Sequence, residues 1–314
     1  MSVYTKITKD TLTDHLRNYS IGKVKGFEGI SDGIENTNYL LLTEKGEYIF
    51  TIFENLDKGR VDEYLNFMNY LNNADFRCAH VELTNSNELS TAVLDKPSAI
   101  IEKLEGKSIL DADVNHCHQI GKLLSEFHNK GSSFSIPLKD TRDMQWKINT
   151  NSKLFDAITK SQKKLIEKAI EINKSFEKIE LPVGKIHADL FKDNVLFNNN
   201  RISGMIDFYY SCDGFFLYDI GVVVNDWCVN KDGAINQNKL VEFINGYQKN
   251  RELSNQEKDS FPKALCSAAL RFYLSRLHDL HFPKIGEMTH IKDPSIFENI
   301  LSDRISVLDD YKIL

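Results

Sequence analysis

Apolar positions along the chain change their spacing near residue 105, from short strand-like runs to the longer repeat of helices. Thr11 to Asn18 reads as a short helix. Residues 21–30 begin as strand, and the apolar run Tyr39-Leu40-Leu41-Leu42 follows a loop rich in glycine and small polar residues. Glu44-Lys45-Gly46 is the turn into a β-rich run from Glu47 to Glu54, and Arg60 to Asn72 reads as a helix. Ala92 to Leu94 and then Ser98 to Gly106 are strand-like and end in a turn. Beyond it, Val114, Cys117, Ile120, Leu124 and Phe127 recur at helical spacing, which predicts a core helix over Asp111 to Lys130 with Gly131 as its C-cap. Further helices are predicted over Gln162 to Ile179, Asn238 to Tyr247, Ser260 to Leu280 and Asp293 to Asp310. The third of these is apolar nearly all round at its start, so it is expected to be buried.

Candidate chemistry concentrates between two of these helices. Gly184 to Phe197 sets His187, Asp189 and Asn194 between apolar runs, and Gly204-Met205-Ile206-Asp207-Phe208 follows. Val195-Leu196-Phe197, the turn Asn198 to Arg201 and the run from Ile202 read as a hairpin bringing Asn194 and Asp207 together. Phosphoryl transfer needs hard oxygen ligands for Mg²⁺ and a group that orients the attacking hydroxyl. Asp189 suits the hydroxyl, and Asn194 and Asp207 suit the metal. His187, the other member of the catalytic segment, suits a hydrogen-bonding brace. Ahead of this, Gly29 to Asn38 offers backbone N–H groups and hydroxyls from Gly29, Ser31, Gly33, Asn36 and Thr37 to phosphates. A tight hairpin turn explains the same loop. No Gly-x-x-x-x-Gly-Lys-Ser/Thr occurs.

Length and composition narrow the class. At 314 residues the chain exceeds one ordinary core, so two lobes are expected, divided into residues 1–105 and 106–314. Its 41% hydrophobic and 27% charged content is that of an ordinary globular protein. A net charge of −6 without a dense basic block argues against nucleic acid as a partner. No apolar run reaches the roughly 20 residues of a membrane span, and the first residues lack a signal-peptide core. A cytoplasmic protein without a membrane partner is expected. The five cysteines are scattered, as free thiols in a reducing compartment would be.

His187-x-Asp189 with Asn194 five residues on, and Ile206-Asp207-Phe208 after it, resembles the protein-kinase-like superfamily, in its aminoglycoside- and choline-kinase branch. The resemblance implies an α+β bilobal fold, with a small antiparallel N-terminal lobe and a larger, mostly helical C-terminal one. It also implies ATP and Mg²⁺ as cofactors, and a hinge over Ile101 to Leu104 in which Ile101 and Lys103 contact the nucleotide. Kinases place a lysine on the third strand and a glutamate on the next helix; here the strand has Thr51, with Glu63 near the glutamate's place and Lys58, Arg60 and Lys192 as alternative cations. Asp219, in Tyr218-Asp219-Ile220, is expected as an N-cap or loop brace. Val224 to Cys228, Leu270 to Leu280 and Gly286 to Pro294 are similar to the C-terminal signatures of bacterial homoserine kinases on this fold, a family in which a threonine in the third strand is usual. That resemblance covers nearly the whole chain. It implies phosphorylation of the L-homoserine side-chain hydroxyl, a small-molecule substrate, with Asp226, Trp227, Arg271 and Arg276 as substrate contacts. The alternatives are a kinase for another small alcohol, such as choline or an aminoglycoside, and a catalytically silent nucleotide-binding module.

Overall fold

A computed structural model describes residues 5–30, 35–283 and 292–308. They form two compact units: residues 5–105 with 204–209, and residues 106–203, 210–283 and 292–308.

The first unit opens with α1 (Lys9–Leu16), capped by the Thr8 side chain on the Thr11 amide. Strands β1 (Val24–Gly29), β2 (Thr37–Thr43) and β3 (Glu47–Ile52) follow, then α2 (Lys58–Asn73), β4 (Val81–Glu82), β5 (Thr91–Val93) and β6 (Lys96–Glu102). They build one antiparallel sheet in the order β1-β2-β3-β6-β4, with β5 on β6. Alternation sets its inner face: Tyr39 and Leu41 of β2 and Phe50 and Ile52 of β3 pack with Leu12 and Leu16 of α1, all buried. Asp57 caps α2 through the Arg60 amide.

The second unit is mostly helical. It contains α3 (Val114–Gly131), α4 (Met144–Leu154), α5 (Lys160–Phe176), β7 (Val183–Ile186), β8 (Val195–Asn198), β9 (Arg201–Met205, its last two residues counted with the first unit), β10 (Cys212–Phe215), α6 (Phe216–Trp227), α7 (Gln237–Tyr247), α8 (Asn255–His281) and α9 (Pro294–Ser306). β7 pairs with β10, and β8 with β9. Asn199 and Asn200 turn the β8-β9 hairpin with φ of 49° and 61°, a left-handed pair that asparagine tolerates better than most residues. Gly131 is the last residue of α3 rather than its cap, which is Ser132.

Helix α8 is the axis of this unit. Its residues from Ser260 to Leu274 are buried apart from Lys263, as its all-round apolar character demands. The helix starts five residues before the sequence pattern suggests, because Ser254 and Glu257 form a capping box ahead of Pro262. Helix α6 crosses it closely: a Cβ on Gly221 would lie 2.8 Å from the Ala264 carbonyl oxygen. Asn225 of α6 donates to the Leu265 carbonyl (2.9 Å) and accepts from Arg304 Nε of α9 (3.0 Å), pinning three helices.

Candidate active site

Residues 187–194 run from β7 to β8 and finish in a 3₁₀ turn over Lys192–Asn194. Ala188 adopts a φ of 61°, a conformation costing a non-glycine residue about 1–2 kcal/mol. Asp219, fully buried in the first turn of α6, offsets that cost. Its Oδ2 accepts the His187 amide (2.8 Å) and its Oδ1 the Ala188 amide (2.8 Å). The N-cap of α6 is Phe215, without a side-chain hydrogen bond, so Asp219 is the loop brace and not the cap.

His128, buried at the end of α3, places Nε2 3.1 Å from the same Asp219 Oδ2. A carboxylate only accepts, which assigns the proton to Nε2 and makes Nδ1 the acceptor for the Tyr247 hydroxyl at 2.7 Å. The Tyr247 oxygen accepts from Arg251 Nη1 (3.2 Å), and Arg251 Nη2 pairs with Glu257 (2.7 Å). Burial pushes the His128 pKa below its ordinary value, consistent with this neutral tautomer.

Two turns along the same face of α6, Asp226 and Trp227 hold the far end of the loop. Asp226 Oδ2 accepts the Lys192 amide (2.8 Å), and Lys192 Nζ returns to the Asp226 carbonyl (3.0 Å). The Trp227 indole N–H donates to the Leu190 carbonyl (3.1 Å), and the side chain has 0% exposure. The sequence reading placed both residues on the substrate. The structure instead has Trp227 sealed in the core and Asp226 capping the turn, because a helix face packed along a loop needs polar groups to satisfy that loop's backbone. Lys192, a candidate phosphate cation in the sequence, is likewise committed to Asp226.

Asp189 projects from the middle of the braced loop, its side chain 18% exposed. Arg271 Nη1 of α8 lies 2.7 Å from its Oδ1. Asn194 Nδ2 donates to its carbonyl (2.8 Å) and, at 3.3 Å, to its Oδ2. Burial raises the Asp189 pKa, opposed first by the Arg271 charge and then by His187. The Asp189 carboxylate in turn holds Arg271 firmly cationic. Arg271, 4% exposed, lies against Phe272 (3.9 Å to the ring centroid) and Tyr210 (4.7 Å). His187 is fully buried, and its Nδ1 accepts the Asp189 amide at 3.3 Å, a bracing geometry. Arg276 donates to the Asp293 carbonyl (2.9 Å) and covers Phe297.

In the first unit, Asp207 follows β9 by two residues; it is exposed and has a φ of 64°. Tyr209 packs edge-on to Phe53 and Tyr64 and hydrogen-bonds Thr51, whose hydroxyl donates to Asn38 Oδ1 at 2.8 Å. Gly29 ends β1 opposite Tyr39, and Asn36 is half-buried beside β2; Ser31 and Gly33 lie outside the described residues. Thr37, expected on phosphates, is fully buried and its hydroxyl donates to Glu54 Oε1 at 2.6 Å while accepting the Thr5 amide at 3.1 Å. It anchors the base of the loop. Ile101 is flanked by Ile49 of β3 and Val81 of β4, so its backbone is enclosed within the sheet; Lys103 lies past the end of β6, with Nζ 2.8 Å from Glu47.

One basic residue escaped the sequence reading altogether. Arg142 Nη2 donates to the Tyr210 hydroxyl (3.1 Å), and its guanidinium lies between Trp146 and Tyr210, so Tyr210 contacts two arginines. The signal that could have found it is Asp143, an N-cap for the unrecognised α4.

Residues 26–253 match the model of the phosphotransferase enzyme family. The chain is 37% identical to a homoserine kinase of Methylobacillus flagellatus, covering 98% of this chain and 96% of that one. It is 35% identical to a homoserine kinase of Neisseria meningitidis, covering 96% of this chain and 99% of its relative. Among solved structures, an amicoumacin kinase in complex with AMP-PNP and Ca²⁺ superposes with a TM-score of 0.75 at 14% identity, covering 98% of this chain and 95% of the other. That likeness establishes the protein-kinase-like fold with its antiparallel sheet and helical second part. The family match spans well over half the sequence and the relatives span nearly all of it: this chain belongs to the phosphotransferase enzyme family.

Proposed function

We propose that this protein is a homoserine kinase, transferring the γ-phosphoryl group of ATP to the side-chain hydroxyl of L-homoserine and forming O-phospho-L-homoserine on the route to threonine. The observation that carries this reading is the full-length likeness to several homoserine kinases at 34–37% identity. The braced loop around Asp189 supports the reaction type. An acceptor hydroxyl needs a carboxylate to orient it, and Asp189 is partly exposed, fixed on one side by Arg271 and on the other by Asn194. Pinned between Arg271 and Asn194, the Asp189 carboxylate is placed to accept the hydroxyl hydrogen bond and orient the nucleophile. That suits a transition state with little nucleophile bonding. His187 keeps the Asp189 amide in place.

The donor set fits a divalent cation of the Mg²⁺ type. Asn194 commits its amide nitrogen to Asp189, which turns its oxygen the other way, and Asp207 offers an exposed carboxylate. Asn194 and Asp207 are the residues assigned to Mg²⁺, which would neutralise phosphate charge. Gly29 and Asn36 are assigned to the phosphates and the backbone beyond β6, from Lys103, to the nucleotide base. Of the assigned substrate contacts, Arg271 pairs with Asp189 directly and Arg276 feels its charge. A cytoplasmic location fits this role.

Replacing Asp189 with Ala tests the assignment. The variant should fold, keep nucleotide binding and lose essentially all turnover; a folded Asp189→Ala protein with wild-type turnover would remove Asp189 from the chemistry.

A further inference from the structure

The strand position at which kinases carry a lysine, paired to a glutamate on the following helix, is Thr51 here. Its side chain is 2% exposed and uncharged, occupied by Asn38 and Tyr209. A protein cation on the nucleotide phosphates is a recurring part of phosphoryl-transfer sites. Of the three candidates the sequence left open, Lys192 is held by Asp226 in the second unit, and Lys58 pairs with Asp62 on an exposed face of α2 at 2.8 Å. Arg60 differs from both.

It shares the first turn of α2 with Lys58 but turns inward, whereas the Lys58 side chain is 51% exposed. Its Nη1 pairs with Glu63 one turn on at 2.6 Å, and its side chain is 16% exposed. Its guanidinium lies 4.6 Å from the centroid of Tyr64. Tyr64 meets Tyr209 edge-on at 6.2 Å, and Tyr209 is bonded to Thr51 and feels the charge of Asp207 two residues before it. A continuous wall, Arg60, Tyr64, Tyr209, thus leads from the guanidinium to the vacated lysine position and to the segment carrying Asp207, all within one compact unit. The strand-to-helix ion pair has become a pair within one helix, i to i+3. Glu63 through Nη1 and the Tyr64 ring fix the position of a group that stays cationic at any working pH.

We infer that Arg60 is the cation that contacts the nucleotide phosphates in place of the strand lysine, with Glu63 holding its guanidinium in position. The inference rests on the kinase reading above.

The test measures binding rather than turnover. Dissociation constants for ADP with Mg²⁺ and for adenosine are determined calorimetrically on the full chain as wild type, Arg60→Gln and Arg60→Lys, with melting temperatures alongside. A lost charged hydrogen bond should weaken ADP about 10- to 100-fold in Arg60→Gln, leave adenosine unchanged, and weaken ADP less in Arg60→Lys. ADP binding unchanged within twofold in Arg60→Gln would overturn the inference, as would equal weakening of ADP and adenosine, which marks a structural role. A wild-type protein that binds no ADP would overturn the kinase reading itself, a result distinguishable from the other two.

Discussion

Substituting Asp219 with Asn keeps the side chain's shape and changes one oxygen into a donor. The carboxylate accepts three hydrogen bonds: Oδ2 from the His187 amide and His128 Nε2, Oδ1 from the Ala188 amide. The least damaging orientation leaves the asparagine oxygen at the two-donor site and turns its NH₂ against the Ala188 N–H. One charge-assisted bond worth about 1.5–3 kcal/mol is then lost, and a buried amide is left unpaired at a further cost of about 1–3 kcal/mol. The expected destabilisation is roughly 3–5 kcal/mol, read as a lower urea midpoint at unchanged slope. Ala188 sits in a left-handed conformation next to Asp189, so loss of its anchor also loosens the carboxylate proposed to orient the acceptor hydroxyl. Misplacement by about 1 Å costs on the order of 100-fold in rate; kcat should fall by that order while the KM for ATP stays within a few-fold. A variant within 1 kcal/mol of wild-type stability and threefold of its kcat would refute the claim that α6 holds the loop through Asp219.

Other outcomes follow from the same geometry. Arg271→Gln removes the main charge opposing the burial-raised pKa of Asp189, so that pKa rises further. In the proposed role Asp189 accepts the hydroxyl as a carboxylate, so the acid limb of the kcat–pH profile should move to higher pH; an unmoved limb would detach Arg271 from Asp189. Trp227→Phe leaves the buried Leu190 carbonyl without its donor and should cost about 1–3 kcal/mol in denaturant unfolding. Unchanged stability would show that the indole does not brace the loop. Gly221→Val should separate α6 from α8, lowering the melting temperature and kcat together; an unaffected variant would mean that the 2.8 Å approach at Ala264 is not needed.

What could be read from the sequence was local. The β8-β9 hairpin was visible because Asn198 to Arg201 is turn chemistry between two apolar runs, and α3 because five apolar residues keep helical register. The role of Asp219 as a loop brace was also within reach. β7 and β10 were not: each is four residues long, and they find each other only in the folded chain. Trp227 and Asp226 show the opposite failure. Polar groups near a catalytic motif read as ligand contacts, whereas burial turns them toward the Leu190 carbonyl and the Lys192 amide. Thr37 misled for the same reason, its hydroxyl drawn inward by Glu54. The Arg271–Asp189 pair joins residues 82 positions apart, and no periodicity encodes such a contact. The start of α8 was missed, although the Ser254 and Glu257 capping box was present to find it.

The central claim is the reaction, and an assay of ADP release from ATP and Mg²⁺ addresses it most directly, run in parallel with L-homoserine, L-serine, L-threonine, choline and an aminoglycoside as acceptors. The account predicts turnover selective for L-homoserine. Faster turnover of another alcohol would contradict the substrate while keeping the phosphotransferase chemistry, and ADP binding without transfer to any acceptor would contradict the enzyme itself.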